Sequence, residues 1–111
     1  MKGVWKNKLG FLKSILNEKN RYRRMEKLVH AKKDDINAVS ELAVNLLKKN
    51  IPVPQNSLKK LVRYKAPLRE LGKRANSLKK RREVLLNQTG AGFWRGLNNV
   101  HRCACNHYKQ R

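Results

Sequence analysis

Through the middle of the chain apolar residues recur at steps of three and four: Ile36, Val39, Leu42, Ala43, Leu46 and Leu47. That spacing lays them along one face of an α-helix. Asp34 or Asp35, just ahead of the stripe, can accept hydrogen bonds from the orphan N–H groups of the first turn and suits the positive end of the helix dipole. Lys48 and Lys49 suit the other end. Ile51-Pro52-Val53-Pro54 then stops the helix, because proline lacks an N–H and holds the residue before it in extended geometry.

A second stripe, Leu58, Leu61, Val62, Leu68 and Leu71, follows a start at Asn56 or Ser57, with Lys59, Lys60, Arg63 and Arg69 elsewhere on the helix. Pro67 falls inside it. An interior proline costs roughly 3 kcal/mol, so the pattern predicts either a kink near Tyr64 or a break that restarts with Pro67 in a first turn. Gly72 to Asn76 forms a joint, and Ser77 caps a third helix from Leu78 to about Asn87. Towards the N-terminus, Val4, Trp5, Leu9, Leu12, Ile15 and Leu16 predict an amphipathic helix despite Gly10. Met25, Leu28 and Val29 predict a shorter one after Asn20. Thr89-Gly90-Ala91-Gly92 reads as a break, and Phe93 to Arg111 as an aperiodic tail.

The expected fold is therefore all-α: a small bundle of three to five short amphipathic helices with flexible basic termini. Residues 1–33 form a basic, partly helical arm, 34–88 the helical core and 89–111 the tail. A chain of 111 residues has room for one modest core. Its hydrophobic fraction of 40% is too high for a disordered polycation. No apolar run is long enough to span a bilayer, and Met1 to Leu16 lacks the continuous hydrophobic stretch and cleavage site of a secretory signal. Cys103 and Cys105 stand too close together for a useful loop-closing disulfide, which favours a reducing compartment.

Charge sharpens the picture. Lys and Arg number 28 against 7 Asp and Glu, a formal net charge of +21. The excess is blocked: +9 over residues 1–33, −1 over 34–56, +10 over 57–82 and +3 over 83–111. A surface so positive attracts a polyanion, and nucleic acid binds it by releasing condensed counterions. Aromatic residues make up only 6%, which argues against recognition by stacked bases. The candidate phosphate contacts lie in the +10 block: Arg63, Arg69, Lys73, Arg74 and the run Lys79-Lys80-Arg81-Arg82, where arginine can grip a phosphate with two donors. Such a run also serves as a nuclear-import signal or simply as a solvated face.

Other patterns carry less. The stripe of Ile36, Val39, Leu42 and Leu46 is a packing face that can also serve self-association. Two helices joined by Ile51 to Gln55 resemble a helix-turn-helix, although the Pro-x-Pro link and Pro67 oppose that geometry. His101-x-Cys103-x-Cys105-x-His107 would place four ligand types on one face of an extended strand, but the spacing is too tight for a zinc knuckle, so no metal or other cofactor is expected. His30, Glu41 and Glu70 have no partners at catalytic spacing, and the chain has no phosphate loop or nucleophile elbow. The chain is read as a non-enzyme.

From about Asp34 to Phe93 the sequence resembles the small basic proteins encoded by Polinton or Maverick elements and by adintoviruses. The residues that carry the likeness are Asp35-Ile36-Asn37-Ala38-Val39-Ser40-Glu41-Leu42-Ala43, Asn45-Leu46-Leu47-Lys48 with Asn50-Ile51-Pro52, and Leu61 to Leu71 with Arg63-Tyr64-Lys65. Ser77-Leu78-Lys79-Lys80-Arg81-Arg82, Leu85-Leu86 and Gly90-x-Gly92-Phe93 complete it. This resemblance implies a virion core protein that condenses packaged double-stranded DNA, similar to the small basic core proteins of adenoviruses, in the virion core or host nucleus. It also implies a maturation protease, with Gln88-Thr89-Gly90-Ala91-Gly92 looking like its site and cleavage between Ala91 and Gly92. The chain departs from the group in two ways: relatives tend to have a double glycine where this chain has Gly90-Ala91-Gly92, and a long apolar C-terminus after the Phe where this chain has the polar Trp94 to Arg111.

The expected function is thus sequence-independent binding and condensation of nucleic acid, double-stranded DNA ahead of RNA, by phosphate neutralisation. Two rivals remain open: an RNA-binding structural part of a ribonucleoprotein such as a ribosomal protein, and a membrane-surface protein built on Trp5 to Leu16.

Overall fold

The computed structural model describes residues 8–48 and 53–109, and every regular element among them is helical. In chain order these are α1 (Leu9–Leu16), α2 (Arg21–His30), α3 (Lys33–Leu47), α4 (Gln55–Leu61), a 3-10 turn (Val62–Tyr64), α5 (Lys65–Gly72), α6 (Leu78–Leu86) and α7 (Ala91–Lys109). All-α architecture is as the patterning predicts, with more helices than the three to five expected. Val4, Trp5, Ile51 and Pro52 lie outside the described residues.

Helix α3 occupies the centre, packed most extensively against α5 and also touching α1, α6 and α7. It starts where the acidic pair stands. Asp35 reaches back to accept the Lys32 N–H at 3.0 Å and takes an ion pair from Lys8 at 3.3 Å. Ile36, Val39, Leu42 and Leu46 are all enclosed in the core of the monomer, so they are not an exposed face for a second copy. Two buried polar residues on the same helix donate to carbonyls one turn back: Ser40 to Ile36 at 3.1 Å and Asn45 to Glu41 at 2.9 Å.

Local chemistry sets the other boundaries. Asn20 caps α2, its side-chain oxygen accepting from the Tyr22 and Arg23 N–H groups at 2.9 and 3.1 Å. Ser77 caps α6 by accepting from Lys80 N–H at 3.1 Å. The stripe from Leu58 to Leu71 breaks where Pro67 requires it. The chain tightens into the 3-10 turn at Val62–Tyr64 and restarts as α5, leaving Pro67 in a first turn that needs no intrahelical N–H bond.

The largest difference from expectation is α7. Phe93 to Lys109 is helical instead of an aperiodic tail, and Phe93, Trp94, Leu97, Val100 and His101 are buried along one side of it. Those five positions follow helical spacing. The Phe93 ring meets Tyr64 and Trp94 edge-on at centroid distances of 5.7 and 5.2 Å, and the Trp94 indole donates to the Gln88 carbonyl at 2.8 Å. Glycine lets the neighbouring segment come close. A methyl group on Gly96 would stand 3.0 Å from Leu61 Cγ and overlap its Cδ2, and one on Gly92 would strike the Tyr64 hydroxyl. The two glycines, one turn apart, form the seat on which α4 and the 3-10 turn rest.

The core thus draws on the whole described chain: Leu12 and Ile15 from α1, Leu28 from α2, Leu61 from α4, Leu71 from α5, Leu85 from α6 and Leu97 from α7 join the α3 stripe. The radius of gyration, 12.8 Å, is close to the roughly 13 Å of a compact chain this long.

Candidate functional site

The structure divides the run Lys79-Lys80-Arg81-Arg82 in two. Lys79 and Lys80 are exposed, whereas both arginines face inwards. Arg82 Nη1 donates to the carbonyls of Leu28, of Val29 at 3.2 Å and of Ala31 at 2.8 Å, closing the C-terminal end of α2. A cation there also meets the negative end of the helix dipole. Arg81 spans α3 and the end of α5, with Nη1 on the Asn37 side-chain oxygen at 3.0 Å and Nη2 on the Lys73 carbonyl at 3.1 Å. These bonds commit Arg81 Nη1 and Nη2 and Arg82 Nη1 to holding the fold together.

Of the remaining predicted contacts, Arg63, Arg69, Arg74, Lys79 and Lys80 are exposed. Lys73 is exposed but paired to Glu70 at 3.0 Å. Hydrogen bonds from Asn76 and then Lys73 hold the Glu70 carboxyl below the usual range. Arg63 alone among the eight predicted residues lines a groove of about 490 Å³ between α4, the 3-10 turn and α7. Lys59, Lys60 and Arg95 line it with Arg63, and Ser57 and Asn99 add neutral hydrogen-bonding groups. No carboxylate lines the groove, and none of its four cations makes an ion pair among the described residues. The close seat on Gly92 and Gly96 brings the α4 lysines to the α7 arginine.

A second concavity of about 310 Å³ opens between the α1–α2 turn and α7, lined by Lys19, Arg24, Arg95 and Arg102 among others. Arg95 belongs to both and stands where they meet. Arg95, Asn98, Asn99 and Arg102 fall at helical spacing, giving the outer side of α7 a polar, cationic stripe opposite its buried one. Sequence reasoning missed Arg95 and Arg102 because it read their segment as tail. The signal that could have found them is the spacing of Phe93, Trp94, Leu97 and Val100, which fixes the opposite side.

His101-x-Cys103-x-Cys105-x-His107 lies within α7, so the extended backbone that the motif would need is not formed. Burial, with Lys13 adding to it, pushes the His101 pKa below 6.5. The Ala91–Gly92 bond sits in the first turn of α7, with Gly92 under Tyr64. No helix of the described residues is long and apolar enough to cross a membrane. Scanned against protein-family models, curated proteins and solved structures, the chain matches none of them.

Proposed function

We propose that the protein is a non-enzymatic nucleic-acid-binding protein that neutralises phosphates without reading bases, taking double-stranded DNA ahead of RNA. The observation that carries this reading is the groove between α4 and α7, where Lys59, Lys60, Arg63 and Arg95 converge with no carboxylate among them. Like charges gathered in one concavity raise the local positive potential and favour a polyanion that spans several of them. Exposed Arg69, Arg74, Lys79 and Lys80 extend the cationic surface beyond the groove. Their spread suits compaction, since separate faces can engage separate duplexes. The resemblance to core proteins of Polinton elements and adintoviruses agrees with this reading and suggests a virion core or nucleus as its setting. On that reading, a maturation protease that needs an extended substrate must first unwind the opening turn of α7.

Titration of duplex DNA and of structured RNA across a salt series tests the proposal. Affinity for duplex DNA is expected to fall steeply with salt, and each cation lost from the groove in Lys59→Gln, Lys60→Gln, Arg63→Gln or Arg95→Gln should flatten the log–log slope by about 0.9 per phosphate contact. A slope unchanged in all four variants refutes the groove as the interface. Tighter binding to structured RNA than to duplex at matched salt would favour the ribonucleoprotein reading. Failure to bind either polymer at low salt would overturn the function itself.

A further inference from the structure

Among the described lysines and arginines, Arg24 is the most deeply buried. It lies on the buried side of α2, one turn before Leu28, with only 4% of its surface exposed. Its guanidinium stacks over Trp94 at 5.3 Å, yet Nε and Nη1 are buried without a hydrogen-bond partner among the described residues. An arginine stays charged even there, although burial pulls its pKa down. Burying an unsatisfied ionic donor is costly, and a fold does not gain stability from it.

The surroundings indicate what the charge is for. Arg24 lines the recess of about 310 Å³ beside Arg95, Arg102 and Lys19. Glu18 is the one carboxylate there, and its oxygens are already taken: Lys27 is 3.0 Å from Oε1, and the Asn20 N–H donates to Oε2 at 3.2 Å. Those bonds hold its pKa low, with the Lys27 contact leading. The far wall is fixed by Asn98, which donates to Asn17 at 3.3 Å and ties α7 to the end of α1.

We infer that this recess is an oxyanion site that takes a phosphoryl group, with Arg24 as its buried anchor and Arg95 and Arg102 closing over it from α7. The chemistry is shared by a phosphate at the end of a polynucleotide strand and by free phosphate. The site is separate from the α4–α7 groove except for Arg95, so it can exist whether or not the groove binds duplex.

Thermal melts with inorganic phosphate against chloride at matched ionic strength test it, since a ligand bound only by the folded state raises its melting temperature. Phosphate is expected to raise the midpoint beyond chloride in the unaltered protein and in a Lys79→Gln/Lys80→Gln control. The gain should disappear in Arg24→Met and shrink in Arg102→Gln. Arg102 is exposed, so its variant keeps the test decisive if Arg24→Met fails to fold. A phosphate-specific gain that is undiminished in Arg102→Gln overturns the site, as does the lack of any gain in the unaltered protein. A second arm compares short oligonucleotides with a 5′-phosphate or a 5′-hydroxyl. Preference for the phosphorylated end assigns the site to strand termini, and equal binding with a retained phosphate shift assigns it to the free anion. Failure of the unaltered protein to bind duplex at low salt, with this shift intact, would refute the groove and leave the recess standing.

Discussion

Replacing Arg82 by Gln should destabilise the fold, although the residue sits in what reads as a phosphate-binding run. One guanidinium nitrogen serves three carbonyls at the end of α2, two of them in part-buried positions. A hydrogen bond to a charged group contributes about 1.5–3 kcal/mol, and one nitrogen has at most two protons to share, which caps the gross loss at about 6 kcal/mol. Water reaches some of these carbonyls once the arginine is gone, so a net cost of about 2 kcal/mol is the reasoned value. For a chain of this length that lowers the melting midpoint by roughly 8 °C. Arg82→Lys, which keeps a charge at the helix end but loses the fork, should fall between. The assay is thermal denaturation followed by far-UV circular dichroism, with Lys79→Gln/Lys80→Gln alongside. Those exposed lysines should leave the midpoint almost unmoved while weakening polyanion binding. An Arg82→Gln midpoint within about 2 °C of the unaltered protein would show that the three carbonyls do not depend on it, and the reasoning would fail.

Two further expectations concern packing and protonation. Gly96→Ala gains helix propensity of about 1 kcal/mol but drives a methyl group into Leu61, so a net loss of about 1–3 kcal/mol is expected in denaturant titration, whereas Gly10→Ala, with nothing within 4 Å of the added carbon, should gain about 0.5–1 kcal/mol. Equal effects at the two glycines would mean that α4 does not rest on α7. His101 is buried with its pKa below 6.5, so as pH falls through about 6.5 the unfolded chain takes up a proton that the folded one refuses. Stability should therefore be full above that pH and decline below it, and His101→Gln should flatten the decline in melts between pH 5 and 8.

How far the sequence foretold the molecule depended on which forces act locally. The stripe of α3, a helix following Asn20, the cap at Ser77 and the tightening before Pro67 are short-range matters of periodicity and backbone chemistry, and each was legible. Helix α7 was not, because its glycines lower helix propensity and their purpose is the contact with Leu61 and Tyr64, partners far away in the chain. The candidate site suffered the same way. Net charge announces a polyanion but not which cations are consumed inside, and Arg81 and Arg82 are spent on carbonyls and Asn37. Arg24 offered a clue in its place on the apolar side of α2, four residues before Leu28, where a charge needs a reason.

The bond from Asn98 to Asn17 joins residues 81 positions apart, and α1 packs against α7. During synthesis, then, α1 emerges well before α7 and waits for it before its cover is complete. Until that moment the nascent chain shows water both Leu12 and its positive charge, and self-repulsion is what keeps such open chains from one another. The cationic excess thus has a use before any partner arrives.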